Sequence, residues 1–284
     1  MVSKHWIRYW LVMLGMLWSV CMATAAMAAG NVYPWLPGAI PEETLAVRIA
    51  PPPGYVRDPV ASGSFAGWLR YLPLKPEGSP VLLYDGSPKF NQQAHYAVID
   101  IDRGQENLQQ CADAVIRLRA EYLYSRGRGR DVHFNFTSGD RAAWSRSARA
   151  DASYPAFRHY LDTVFTYAGT WSLSRELHHR PLRRMRIGDV FIRGGFPGHA
   201  VLVVDMARDV ATGEKLFMLA QSYMPAQDIH ILRNDIEPAL SPWYRMPDVD
   251  GLVTPEWTFK TNQLKAFPDD PSPTQVSRVS HRSS

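Results

Sequence analysis

The chain has 284 residues, 46% of them hydrophobic and 20% charged, with a formal net charge of +4. That length suits one large domain or two small ones. A balance so close to neutral, without long basic runs, excludes nucleic acid as the expected partner.

Lys4 and Arg8 precede an apolar run from Trp10 to Val20 and then Ala26-Met27-Ala28, the pattern of a secretory signal peptide over residues 1–29. The run is shorter than the roughly 20 residues a bilayer span needs. The expectation is an exported protein, in the periplasm or outside the cell, with no stable membrane span after cleavage. The mature chain keeps one cysteine, Cys111. In an oxidising compartment an unpaired thiol is either a small buried core group or is used chemically.

Residues 30–60 are rich in Pro and Gly and read as extended arms and turns. Phe65 to Leu74, Val81 to Tyr84 and His95 to Ile101 read as short strands, an N-terminal β extension. The period then changes. Leu108, Cys111, Val115, Leu118 and Tyr122 share one helical face, which predicts a helix from near Gln105 or Asn107 to about Ser125. A strand follows at His133–Thr137, then a polar loop over 138–153 and a second helix from Tyr154 to Ala168. Gly188–Ile192, His199–Met206 and Leu216–Tyr223 are strands, the last two joined as a hairpin across 208–214. Residues 269–284 read as a disordered tail. Segregated strands and helices predict an α+β class, with helices packed on an antiparallel β-meander in a single domain over 30–268.

A thiol becomes a good nucleophile when its pKa is lowered, as a helix start or a nearby imidazole can do. Cys111 lies near the start of its helix. His199 opens a strand directly after Gly198, which leaves room for its ring. A hairpin turn centred near Ala211 sets His199 across from residues near 221–223. With an even pairing sum, His199 and Gln221 point to one face, where the amide can hold the imidazole tautomer. The expected catalytic set is therefore Cys111, His199 and Gln221. The Cys111 backbone N–H, with Gln109 or Gln110, would meet the oxyanion, and Asn135, Thr137, Ser138 and Trp144 would line the groove. His95 is the alternative base. Asp100 and Asp102 read as helix caps rather than a carboxylate pair. The adjacent His178 and His179 diverge and have no third ligand, so neither a metal nor a cofactor is expected.

The order of cysteine at a helix start, then histidine and a polar residue on neighbouring strands, resembles papain-like peptidases of the NlpC type, which cleave bacterial wall peptides. Arg186-Ile187-Gly188-Asp189-Val190-Phe191 and Gly198-His199-Ala200-Val201 are similar to the segment that introduces their histidine strand. Gln110-Cys111-Ala112-Asp113 departs from the Asp-Cys-Ser-Gly common around that family's nucleophile. Over most of its length the chain resembles an exported bacterial family defined as a domain of unknown function, number 4846. The segments that carry this likeness are 108–114, Phe134-Asn135-Phe136-Thr137-Ser138-Gly139, 197–201 and 220–228. The expected activity is an exported cysteine hydrolase acting on an amide or ester, with peptidoglycan or envelope peptides as partners. The alternatives are a non-catalytic envelope-binding or structural protein of papain-like fold, and an acyl or peptide transferase with the same dyad.

Overall fold

A computed structural model describes residues 32–36 and 42–268; the expected signal peptide and tail lie outside the described residues. The molecule is α+β. Its centre is a nine-stranded antiparallel sheet, and most of its helices are short. From one edge the strands run His95–Val98, His230–Leu232, Lys215–Gln221, His199–Asp209, Val190–Arg193, Leu264–Ala266 and His178–His179. Tyr55–Arg57 pairs with the far end of the His199 strand, and Tyr244–Arg245 with the start of the Gln221 strand. No described helix is long and apolar enough to cross a membrane.

The His199–Asp209 and Lys215–Gln221 hairpin sets the geometry of the site, and its register changes part-way. Near the turn Arg208 faces Lys215 and Asp205 faces Met218; beyond an irregularity between Val203 and Asp205, Val203 faces Leu219 and Leu202 faces Ala220. Pairing sums are thus odd beside the turn and even beyond the bulge. Side chains alternate faces with period two, so the turn alone would place His199 and Gln221 on opposite faces. The one-residue bulge at Val204 returns them to the same face.

Three expected elements differ. Phe65–Arg70 is a helix, not a strand: Ser64 Oγ accepts from the Gly67 N–H at 3.1 Å, and Phe65, Trp68 and Leu69 are buried at helical spacing. Val81–Tyr84 makes only isolated bridges, through Leu82 to Pro88 and Leu83 to Gln227. The N-terminal region is therefore loops and short helices wrapped on the sheet, to which only Tyr55–Arg57 and His95–Val98 add strands, rather than a β extension. The stretch 138–153 also holds structure: Arg141–Ala143 pairs with His133–Asn135, and Trp144–Ser147 is a helical turn.

The helix Cys111–Ser125 runs through the middle of the molecule, with every side chain from Cys111 to Leu123 buried. Its amphipathic stripe only partly explains this, because Arg117 and Glu121 are buried too. Arg117 donates to Glu121 Oε1 at 2.7 Å, to Asp102 Oδ2 at 2.8 Å and to Gln109 Oε1 at 2.9 Å. Buried charges persist when they are paired and hydrogen-bonded. This cluster ties the loop that leads into Cys111 to the helix itself. Asp102 is thus an ion-pair partner, also of Arg158, and not a helix cap.

Candidate active site

Cys111 is the first residue of its helix. Gln110 before it is extended, with φ −92° and ψ −159°, and its N–H donates to Asp113 Oδ2 at 3.0 Å. That carboxyl caps the helix start from its third position. Two further bonds hold the loop in place: Ala226 N–H to Asn107 Oδ1 at 2.7 Å and Ser222 Oγ to the Gln109 carbonyl at 3.0 Å. The segment after the Gln221 strand therefore clamps the loop that leads into Cys111.

The thiol and His199 open onto the same cleft, of about 1000 Å³, and the Ala200 N–H, one residue beyond His199, lies against the thiol. Other walls come from the helix Thr170–Glu176, which sequence periodicity did not reveal, and from the loop 195–198. Gly198 is needed for that close approach. A Cβ there would sit 2.2 Å from Thr170 Oγ1 and 2.4 Å from the Gly195 carbonyl. The glycine thus admits the neighbouring helix, where the sequence had pointed to room for the imidazole.

His199 Nε2 lies 2.8 Å from Gln221 Oε1. The donors around Gln221 fix which proton is where. His230 stands opposite Gln221 in the next strand, and its Nδ1 donates to the Asp228 carbonyl at 2.9 Å. Its Nε2 is then an acceptor, 3.3 Å from Gln221 Nε2. Gln221 Nε2 also donates to Glu256 Oε2 at 2.6 Å, an oxygen that Lys89 Nζ meets at 2.6 Å. Both acceptors draw the amide nitrogen away from His199, so the amide oxygen faces the ring. His199 is therefore protonated on Nε2, which leaves the Nδ1 lone pair as its basic position. Tyr223, Trp257 and Phe259 pack on the ring, with centroids 4.8, 5.4 and 5.8 Å away.

Burial sets the charge states. It pushes the Cys111 thiol up to about 12, with the Asp113 carboxylate adding to the rise and the Ala112 and Ala200 N–H groups opposing it. Burial also lowers His199 to about 4, against the raising effect of its bond to Gln221. Asp113 is raised by burial to about 8, although the Gln110 N–H favours its charged form. The lowered thiol pKa expected from a helix start is therefore overturned: desolvation outweighs the helix N–H groups. At neutral pH the Cys111 thiol and the His199 imidazole, both in the lining of this cleft, are each uncharged.

Of the other expected residues, Gln110 and Thr137 line the cleft. Gln109 does not: its side chain is buried against Arg117. Asn135 and Ser138 are not in the cleft wall either; the Asn135 N–H donates to Glu176, and Ser138 Oγ bonds Asp140. Trp144 is 3% exposed and packs against Phe157 and Tyr160, so it is a core residue. His95 does not line the cleft and donates from Nε2 to the Ser79 carbonyl at 3.2 Å. His178 and His179 are exposed on an edge strand, and no described group of three or more His, Cys, Asp or Glu could hold a metal. Sequence reasoning does not single out Asp113, His230, Glu256 or Trp257, and it reads Trp171, which lines the cleft, as a core or loop anchor. The alternation of Trp257 and Phe259 was a usable signal for a strand facing the ring. His230 becomes findable once Gln221 is placed in register.

A model of the family described as Domain of unknown function (4846) matches residues 45–266. The chain belongs to that family. No curated protein and no solved structure matches it. The span matched by the 4846 domain contains Cys111, His199, Gln221, His230 and Glu256, the whole of the site described above.

Proposed function

We propose that this protein is an exported cysteine hydrolase of papain-like type, acting on an amide or ester, with envelope peptides among the candidate substrates. One observation carries this reading. A thiol at a helix start and an imidazole whose tautomer is locked by Gln221 open onto one cleft. With both groups neutral at rest, proton transfer accompanies attack instead of preceding it. Cys111 Sγ bonds to the carbonyl carbon while its proton passes to His199 Nδ1, forming a tetrahedral oxyanion and an imidazolium. The Cys111 backbone N–H, which has no intrahelical acceptor at this position, is the donor for that oxyanion; the Gln110 donors expected there are taken, the backbone N–H by Asp113 and Nε2 by Asn107. The bond to the leaving amine or alcohol then breaks, and His199 returns the proton to it. Water attacks the thioester with His199 again as base, releasing a carboxylic acid and restoring the thiol. An amine or alcohol in place of water would make the same cycle a transfer.

The test is intact mass spectrometry after mixing the protein with p-nitrophenyl acetate. An acyl adduct on Cys111 that disappears in Cys111→Ala and falls steeply in His199→Ala is expected. A protein that takes no acyl group on Cys111 is instead a non-catalytic binding module, the reading that the high thiol pKa favours.

A further inference from the structure

The lining of the cleft differs from the rest of the surface in its charge. Among its described residues there is no Lys, Arg or Glu, and its single carboxyl is Asp113. Burial raises that carboxyl to about 8, so at neutral pH the wall carries no full charge. Arg175 and Arg193 lie over the rings of Trp171 and Trp257, at 5.3 and 5.9 Å, but are not among the lining residues.

The rim is bulky and apolar. Phe196 is 97% exposed, Met224 53% and Trp171 48%, and all three line this one cleft. Single exposed apolar side chains are ordinary, but several gathered on one concavity mark a surface that is covered in use. The lining also includes Leu108, Phe165 and Trp257. A buried carboxylate or ammonium would meet no oppositely charged side chain in the lining itself, since Arg175, Arg193 and Lys89 lie over the Trp171, Trp257 and Tyr223 rings rather than in it. It would bear a poorly compensated desolvation cost. A methylene chain or aromatic ring would gain about three- to fourfold in binding per buried CH₂.

We infer that the cleft accepts a bulky, uncharged apolar acyl group, aliphatic or aromatic, next to the carbonyl that Cys111 attacks. The inference rests on the hydrolase reading for its chemistry. It narrows the substrate away from carboxylate-bearing wall peptides and toward acyl chains or apolar peptide residues.

The experiment has a kinetic arm and a binding arm. In the first, kcat/KM is measured for p-nitrophenyl acetate, butyrate, octanoate, phenylpropionate and hemisuccinate. The expected order is octanoate and phenylpropionate above butyrate above acetate, with octanoate at least thirtyfold over acetate and hemisuccinate slowest. The relative rates of octanoate and phenylpropionate distinguish a lipid-like from an aromatic acyl source. The double variant Phe196→Ala/Met224→Ala should collapse the octanoate-to-acetate ratio. In the second arm, tryptophan fluorescence of Cys111→Ala reports binding of octanamide and of succinamate, without any need for catalysis. Octanamide should bind at least tenfold tighter. Cys111-dependent turnover with no chain-length gain, or a preference for the anionic ester or amide, would overturn the inference and leave the hydrolase reading standing. Preferred octanamide binding without Cys111-dependent turnover would overturn the hydrolase reading and keep the apolar cleft.

Discussion

The two ends of the polar chemistry along one helix are handled in opposite ways. Around Arg117 the buried guanidinium keeps its charge, because Glu121, Asp102 and Gln109 satisfy it at 2.7 to 2.9 Å; burial raises Glu121, and the guanidinium beside it opposes that rise. Around Cys111, two turns earlier, the buried groups give up their charges: thiol and Asp113 are pushed up and His199 is pushed down. A paired buried charge fixes structure, and an unpaired one stays neutral until something arrives to stabilise it. The first region positions the loop that leads into Cys111, and the second holds thiol, imidazole and carboxyl in their uncharged forms.

The largest expected effect lies at Cys111. Cys111→Ala should abolish acylation, a loss of about a thousandfold or more in single-turnover rate, while its urea unfolding midpoint stays close to that of the wild type. Arg117→Met should do the reverse. It leaves Glu121 buried without its partner and should cost about 3–5 kcal/mol of unfolding free energy in urea titration. Glu256→Gln weakens the anchor that turns the Gln221 amide oxygen toward His199. It should lower kcat about tenfold with little change in KM, and ¹⁵N NMR should show His199 losing its pure Nε2–H tautomer.

The smallest expected effects are on stability against pH. The folded pKa values of His199 and His230 lie below the unfolded value, so the unfolded chain binds more protons in acid. Stability should fall as pH drops from about 6.5 toward 4. Asp113 has the opposite sign: its folded pKa of about 8 exceeds the unfolded 3.8. Its contribution is complete below pH 3.8 and is lost as pH rises through 8. Thermal melts of Asp113→Asn should therefore lose the decline that this group contributes between about pH 4 and 8, so that the fall in stability on acidification below 6.5 is steeper in the variant than in the wild type.

Much of this site was legible in the sequence for reasons that can be named. Cys111 stood out by arithmetic and by its position on a periodic stripe, and His199 and Gln221 by parity across a hairpin. The parity was correct for a reason the sequence does not display. The turn gives an odd sum, and the bulge at Val204 makes it even. The charge state of the thiol is not legible in the sequence, because helix position is local whereas desolvation depends on how deeply the folded chain buries Cys111. Trp144 looked like a groove residue because its neighbours are polar, yet Phe157 and Tyr160 arrive from the next helix to bury it. Phe65–Arg70 hid its helical spacing in a stretch too short for a periodicity count. Glu256 lies 35 residues after Gln221, and only the folded chain brings the two together.

The most direct test of the account is the pH dependence of Cys111 acylation by p-nitrophenyl acetate, followed as a single turnover in the wild type and in His199→Ala. A neutral thiol activated by a neutral His199 predicts a rate that rises through about pH 4, is already high at neutrality, and is largely lost without the imidazole. A rate that climbs tenfold per pH unit far into the alkaline range, unchanged in His199→Ala, would show that free thiolate reacts alone and would contradict the dyad.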